Sequence, residues 1–168
     1  ELWRVVHGGA NTACPPIFKD GVVFFNSGDV TNRLYAVRPD GSGDVTATHV
    51  VWSTMRGVPS RPSVLLAGDS IYMISNAGVA SCVDIATGKT RWSSRITGKY
   101  SASPILVDTR IFCFEEERGR CHVFAADPRG YRPLASNALD ASFMASPAVT
   151  DRLLLLRTKT HLYGISAD

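Results

Sequence analysis

The sequence predicts an all-β fold assembled from repeated four-stranded antiparallel units, and three observations carry that prediction. Short β-rich runs recur at a near-constant spacing, turn residues separate them, and no stretch sustains the i, i+3, i+4, i+7 apolar pattern of an amphipathic helix.

The spacing is read most directly from the prolines that open apolar runs. Pro16, Pro62, Pro104 and Pro147 lie 46, 42 and 43 residues apart. After each comes a short polar break and then a β-rich segment: Val22 to Phe25, Ile71 to Ile74, Ile111 to Phe114 and Leu153 to Leu156. Turn signals follow at Asn26-Ser27-Gly28, Asn76-Ala77-Gly78 and Arg118-Gly119, with a weaker one at Thr158-Lys159. A further strand succeeds each turn, at Arg33 to Val37, Val79 to Val83, His122 to Ala126 and His161 to Ile165. In the first two units a Gly-containing turn then leads into a strand that ends in Trp, at Gly41 to Trp52 and Gly88 to Trp92. The units fall at about 13–52, 59–92, 101–137 and 144–168, and residues 1–6 read as the tail of a preceding one.

One such unit cannot bury both of its faces, so neighbours must stack on it. Four-stranded sheets at a period of roughly 40–50 residues are the pattern of β-propeller blades. An immunoglobulin-like sandwich also has many short strands, but the regular period and the recurring Trp count against it.

Composition fits a folded globule: 168 residues, 45% of them apolar, suffice to bury a core. Eighteen Lys and Arg against 15 Asp and Glu give a net charge of only +3, and the basic residues are scattered. A nucleic-acid partner is not expected from that distribution. The longest aliphatic block, Leu153 to Leu156, is far short of the ~20 residues of a membrane-spanning helix. No charged-then-apolar leader opens the chain. Of the four cysteines, Cys113 and Cys121 flank a predicted hairpin and are either cross-strand neighbours able to bridge or buried free thiols.

The segment Cys82-Val83-Asp84-Ile85-Ala86-Thr87-Gly88-Lys89-Thr90-Arg91-Trp92 resembles the A-x-D-x-x-T-G-x-x-x-W signature of pyrroloquinoline-quinone (PQQ) type propeller repeats, with Cys82 where Ala is usual. Asp84 and Thr87 are suited to satisfying turn backbone, Gly88 to a positive φ, and Trp92 to covering the next blade. Trp52 closes the first repeat similarly, and Asp127 and Gly130 carry the signature into the third, which has no Trp. More narrowly, Arg61-Pro62-Ser63, Phe143 to Pro147 and Arg157 to Tyr163 are similar to bacterial, planctomycete-type members of the BamB-like group. The resemblance implies an exported, periplasmic or envelope-associated parent, an eight-bladed ring of which this chain is the C-terminal half. It implies a non-catalytic scaffold for protein–protein interaction; no cofactor and no metal are expected, because the sequence has no adjacent cysteines and no calcium-site signature. The alternative it carries is a fragment of a PQQ-dependent dehydrogenase, whose quinone sits with calcium, an Asp, an Arg and often adjacent cysteines.

Other candidate sites are weak. Thr87-Gly88-Lys89-Thr90 ends like a phosphate-binding loop, but Val83 stands where that loop needs glycine, and Arg91-Trp92 reads as strand. Asp40-Gly41-Ser42-Gly43-Asp44 spaces oxygens like a calcium loop without its distal Glu. His122 and His161 read as matching points of two repeats, where the first two have Arg33 and Val79, so no metal pattern forms. Glu115, Glu116, Glu117 and Arg118 read as an acidic hairpin tip, a solvated turn or a partner contact. Finally, Leu2 to Val6 reads as the strand missing from the last repeat. Three arrangements would satisfy that open edge: self-closure, a second copy, or further blades of a longer parent.

Overall fold

The computed structural model describes residues 1–166 and contains strands and turns, with no helix among them. After a two-residue strand β1 (Trp3–Arg4) come four antiparallel sheets. The first is formed by β2 (Ile17–Lys19), β3 (Val22–Asn26), β4 (Leu34–Val37) and β6 (Val50–Thr54), with β5 (Gly43–Asp44) in the turn before its last strand. The second runs β7 (Leu65–Ala67), β8 (Ser70–Ile74), β9 (Val79–Asp84), β10 (Thr90–Arg95). The third runs β11 (Ile105–Val107), β12 (Arg110–Phe114), β13 (Arg120–Ala125), β14 (Pro133–Ala138). The fourth has three strands, β15 (Ala148–Val149), β16 (Leu153–Arg157) and β17 (Leu162–Ser166). This is a propeller architecture of simple up-and-down blades.

Alternation along each strand sends side chains to both faces, and each face packs on the neighbouring sheet. Phe24, Leu34, Ile71 and Val83 fill the space between the first and second sheets. Tyr72, Cys82, Tyr100, Cys113 and Phe124 fill that between the second and third, and Phe114, Phe143 and Leu156 that between the third and fourth. A buried apolar layer on each side explains why the central strands read as nearly continuous apolar runs.

Strand register defines equivalent positions and corrects three of the sequence alignments. Ile17, Leu65, Ile105 and Ala148 each open the pairing of a first strand, so Val64, not Pro62, matches Pro16, Pro104 and Pro147. Asp84 pairs with Ser70, and the residue paired at that point in the third sheet is Ala125 opposite Arg110, not Asp127. His122 pairs with Cys113, and its counterpart in the fourth sheet is Tyr163 opposite Leu156, two residues beyond His161. Trp52 and Trp92 stand inside β6 and β10 rather than at their ends.

The same register decides the thiols. Cys113 pairs with His122 and Cys121 with Phe114, so the two sulfurs leave opposite faces of the sheet and cannot bridge. All four cysteines are free, and burial pushes the Cys121 thiol up to about 12 and Cys113 higher still. Cys113 and Cys121 behave as small apolar side chains, whereas Cys14 Sγ accepts from Asn26 Nδ2 at 3.0 Å.

A polar thread also crosses the sheets. Ser63 N–H donates to Ser103 Oγ, and Ser103 N–H to Ser146 Oγ, both at 3.0 Å. These three serines occupy matching positions, two residues before the first paired residue of their sheets.

Candidate functional site

The turns between second and third strands gather at one end of the sheets, beside the links that join one sheet to the next. In the third sheet this turn is Glu115 to Gly119. Its backbone ties two links together: Glu116 N–H donates to Lys99 O at 2.8 Å, and Phe143 N–H donates to Glu116 O at 3.1 Å. Gly119 has φ +62, and a Cβ there would fall 1.9 Å from Leu139 O, so only glycine lets the turn sit this close to the outgoing link.

The acidic tip expected from the sequence is divided by this packing. Glu115 is 1% exposed, whereas Glu117 and Arg118 are largely in solvent. The Glu115 side chain folds over Gly98, where an added Cβ would meet its carboxyl carbon at 2.3 Å. Its Oε1 lies 3.9 Å from Arg118 Nε, and Oε2 has no hydrogen-bond partner among the described residues. Glu115 is therefore no partner contact. Ser27, Ser75 and Thr158 occupy the matching position of the other turns, and each hydroxyl accepts a turn N–H. Replacing the carboxylate by such a hydroxyl, Glu115→Ser, is expected to raise stability by about 1 kcal/mol, because a buried unpaired oxygen is removed. A urea titration showing a loss of that size instead would mean that Oε2 is satisfied in solution.

Glu116 and Glu117 remain at the surface of a groove. Ser101 Oγ donates to Glu116 Oε2 at 2.6 Å, and Lys99 Nζ donates to Glu117 Oε1 at 2.7 Å. That bond holds the Glu117 carboxyl below its ordinary range and Lys99 above its own. Across from them stand Arg157, the last residue of β16, and Lys159 in the turn that follows it, and Met144 of the intervening link is 63% exposed between the walls. The groove measures about 770 Å³. A smaller recess of about 210 Å³, lined by Arg61, Asn76 and Ser101, joins it at Glu116. Sequence reasoning finds the acidic wall but not the basic one, which is visible only as part of the Arg157 to Tyr163 segment. Nothing in the linear pattern places the two turns face to face.

The repeat-signature residues lie away from this end. Asp84 Oδ1 accepts from Thr87 N–H at 2.9 Å and from Thr87 Oγ at 2.8 Å, while Oδ2 accepts from Arg91 at 2.6 Å. Arg91, then Thr87, hold the Asp84 carboxyl down at about 2. Gly88 has φ +69 and sits under Trp52, whose Nε1–H donates to Ile85 O at 3.0 Å. Trp92 Nε1–H donates to Asp127 O at 2.8 Å in the following sheet. The Asp127 side chain accepts from Arg129 N–H and from its guanidinium, closing a different turn, and Gly130 lies in open space without a positive φ.

The other candidates do not converge. Asp40 lies 3.5 Å from His49 Nε2 and Asp44 caps Thr46 N–H, so the two carboxylates of the calcium-like loop are turned to separate partners. His122 Nε2 is buried and unpartnered among the described residues, and burial lowers the pKa of this ring. His161 meets Thr160 Oγ1 at 2.8 Å. Among the described residues no three His, Cys, Asp or Glu stand together as metal ligands, and no helix is long and apolar enough to cross a membrane.

Comparison with known proteins decides the family. A family described as outer membrane protein assembly factor BamB matches residues 1–168. The chain belongs to the BamB family. No curated protein matches it in sequence. Among solved structures it is similar to BamB from Moraxella catarrhalis, with 20% identity and a TM-score of 0.73, over 98% of this chain and 49% of that one. The computationally designed Ika4 protein is similar at 12% identity and a TM-score of 0.74, over 100% of this chain and 98% of that one. A quinohemoprotein alcohol dehydrogenase from Pseudomonas putida HK5 matches at 13% identity and 0.69, over 92% and 29%. At these identities the likeness is one of fold. The BamB-family chain spans about half the length of the Moraxella protein.

The dehydrogenase match raises the question of a quinone. Among the described residues the ligand set that the resemblance to such enzymes implies is not brought together. Cys82 and Cys113 are buried in the layer between the second and third sheets and Cys14 is buried apart from them, no two cysteines are adjacent, and the groove carboxylates are bonded to Ser101 and Lys99.

Proposed function

We propose that this BamB-family chain is a non-catalytic scaffold of the bacterial cell envelope. It holds a protein partner in the groove between the Glu116–Glu117 turn and the Arg157–Lys159 turn. The observation that carries this reading is the make-up of the groove: opposite charges on facing walls, with the exposed Met144 between them. Such a surface orients a protein segment electrostatically while a flexible thioether adapts to its apolar side chains. Lys99 is already committed to Glu117, whereas Arg157 and Lys159 have no ion-pair partner among the described residues. The attractive charge on offer is therefore basic, and the matching partner segment is acidic and apolar. Family membership over the whole chain supports both the scaffold role and the envelope location.

Reversing the basic wall, Arg157→Glu with Lys159→Glu, is expected to weaken partner capture from envelope extracts at least about tenfold, since like charges then face the partner. The melting temperature should stay within a few degrees, because both side chains are at the surface. Undiminished capture by a folded variant would remove the groove from the interface.

A further inference from the structure

We infer that the segment held in the groove is extended and carries two acidic residues on either side of an apolar one. Arg61, in the recess, takes the first carboxylate, Arg157 and Lys159 take the second, and the apolar residue rests on Met144. The inference rests on the groove being the partner site, and it adds Arg61 as the residue that makes recess and groove one track.

A row of equivalent positions lays out that track. Arg61, Ser101 and Met144 each stand two residues before a serine of the thread that crosses the second, third and fourth sheets, namely Ser63, Ser103 and Ser146. The thread thus sets these three positions side by side, one for each sheet. Arg61 Nη1 donates to Ser101 Oγ at 3.3 Å, and Ser101 Oγ donates to Glu116 Oε2 at 2.6 Å. Glu116 lines both the recess and the groove.

Arg61 is placed to receive an anion. Pro62 after it keeps its backbone extended, and the Cys14 thiol lies 3.2 Å from both Arg61 O and Pro62 O. The neighbouring polar groups are already matched: Ser60 N–H and Oγ donate to Asn76 Oδ1 at 2.9 and 3.0 Å, and Asn76 Nδ2 donates to Tyr100 O at 3.2 Å. The exposed Arg61 guanidinium has the single bond to Ser101 and no ion-pair partner among the described residues. Such a fork of N–H donors takes a carboxylate bidentately.

The charge between the two basic positions decides the middle of the segment. Lys99 neutralises Glu117, whereas Glu116 has only the Ser101 hydroxyl. That uncompensated carboxylate repels an acid placed centrally, and Met144 beside it offers a thioether to an apolar side chain. The order acid, apolar residue, acid follows. Sheets packed face to face lie ~10 Å apart, which an extended chain covers in about three residues.

The test is fluorescence anisotropy on the whole chain with labelled synthetic peptides. The parent peptide has a central Leu and an Asp about three positions to either side. Replacing either Asp by Asn, or the Leu by Asp, is expected to weaken binding at least about tenfold. Arg61→Gln should weaken the parent peptide by a similar factor and make the chain indifferent to one of the two Asn replacements while it still senses the other. Arg157→Gln with Lys159→Gln should reverse that pattern, and the sensitivity each variant keeps shows that it is folded. Equal sensitivity to both Asn replacements in the Arg61 variant, a one-acid peptide that binds as tightly as the parent, or no peptide binding at all overturns the inference. The groove reading is judged apart from it: partner capture that is lost on reversing Arg157 and Lys159 but undiminished in Arg61→Gln keeps the groove and removes the second acid.

Discussion

Replacing Trp92 by alanine is expected to cost about 3–5 kcal/mol of folding stability, the range for deleting a large aromatic from a packed site. Trp92 is only partly buried, yet it spans two sheets. Its ring centroid lies 6.1 Å from Tyr72 in its own sheet, 6.2 Å from Phe124 and 5.8 Å from Tyr131 in the next. Its Nε1–H also supplies the bond to Asp127 O. Alanine would open a void between the second and third sheets and leave that carbonyl short of a donor, two losses that add. Trp92→Phe keeps most of the apolar contact and gives up the hydrogen bond, so its cost should be about 1–2 kcal/mol. Urea denaturation monitored by far-ultraviolet circular dichroism separates the two variants. A loss under about 1 kcal/mol for alanine would mean that the second and third sheets do not meet through this ring.

Gly88→Val should be comparably damaging, at about 3–4 kcal/mol, for two separable reasons. At φ +69 a side chain incurs a left-handed penalty of roughly 1–2 kcal/mol, and more when β-branched. An added Cβ would also lie 2.6 Å from Trp52 Cδ2 and Cε3, an overlap costing roughly 1–3 kcal/mol. The turn signature alone suggests that Gly88→Asn is mild, because Asn tolerates positive φ. The structure adds the second requirement: Asn relieves the backbone but still strikes the indole. In a Trp52→Ala background that collision is gone, so Gly88→Asn should then cost about 1–2 kcal/mol less than in the parent chain. Thermal melts of the four chains in this cycle read the coupling directly, and additive losses would show that the ring and the glycine do not touch.

The architecture is legible because it rests on local signals that repeat: β-rich runs, polar breaks and glycine turns at a steady interval. Those signals locate strands to within a few residues but not their pairing. Spacing aligns Pro62 with Pro104 although Val64 holds that place, because proline is conspicuous and the register is not. It aligns Asp127 with Asp84 for the same reason, when the third turn is longer and uses its Asp to hold Arg129. Glu115 shows a deeper limit. Three successive glutamates read as a solvated face, and only the approach of Gly98 from the neighbouring link buries the first of them. The groove is half legible: its acidic wall is a run of like charges, while its basic wall and Met144 come from segments more than twenty residues away.

The central claim, that the groove is where a protein partner is held, is tested most directly by site-specific photo-crosslinking in the cell envelope. A photoreactive residue at Met144 lies between the charged walls, and one at Leu134 lies on β14, exposed but outside the groove. The account predicts a discrete protein adduct from Met144, lost when Arg157 and Lys159 are both reversed, and none from Leu134. Equal adducts from the two positions, or an adduct from Leu134 alone, would contradict it.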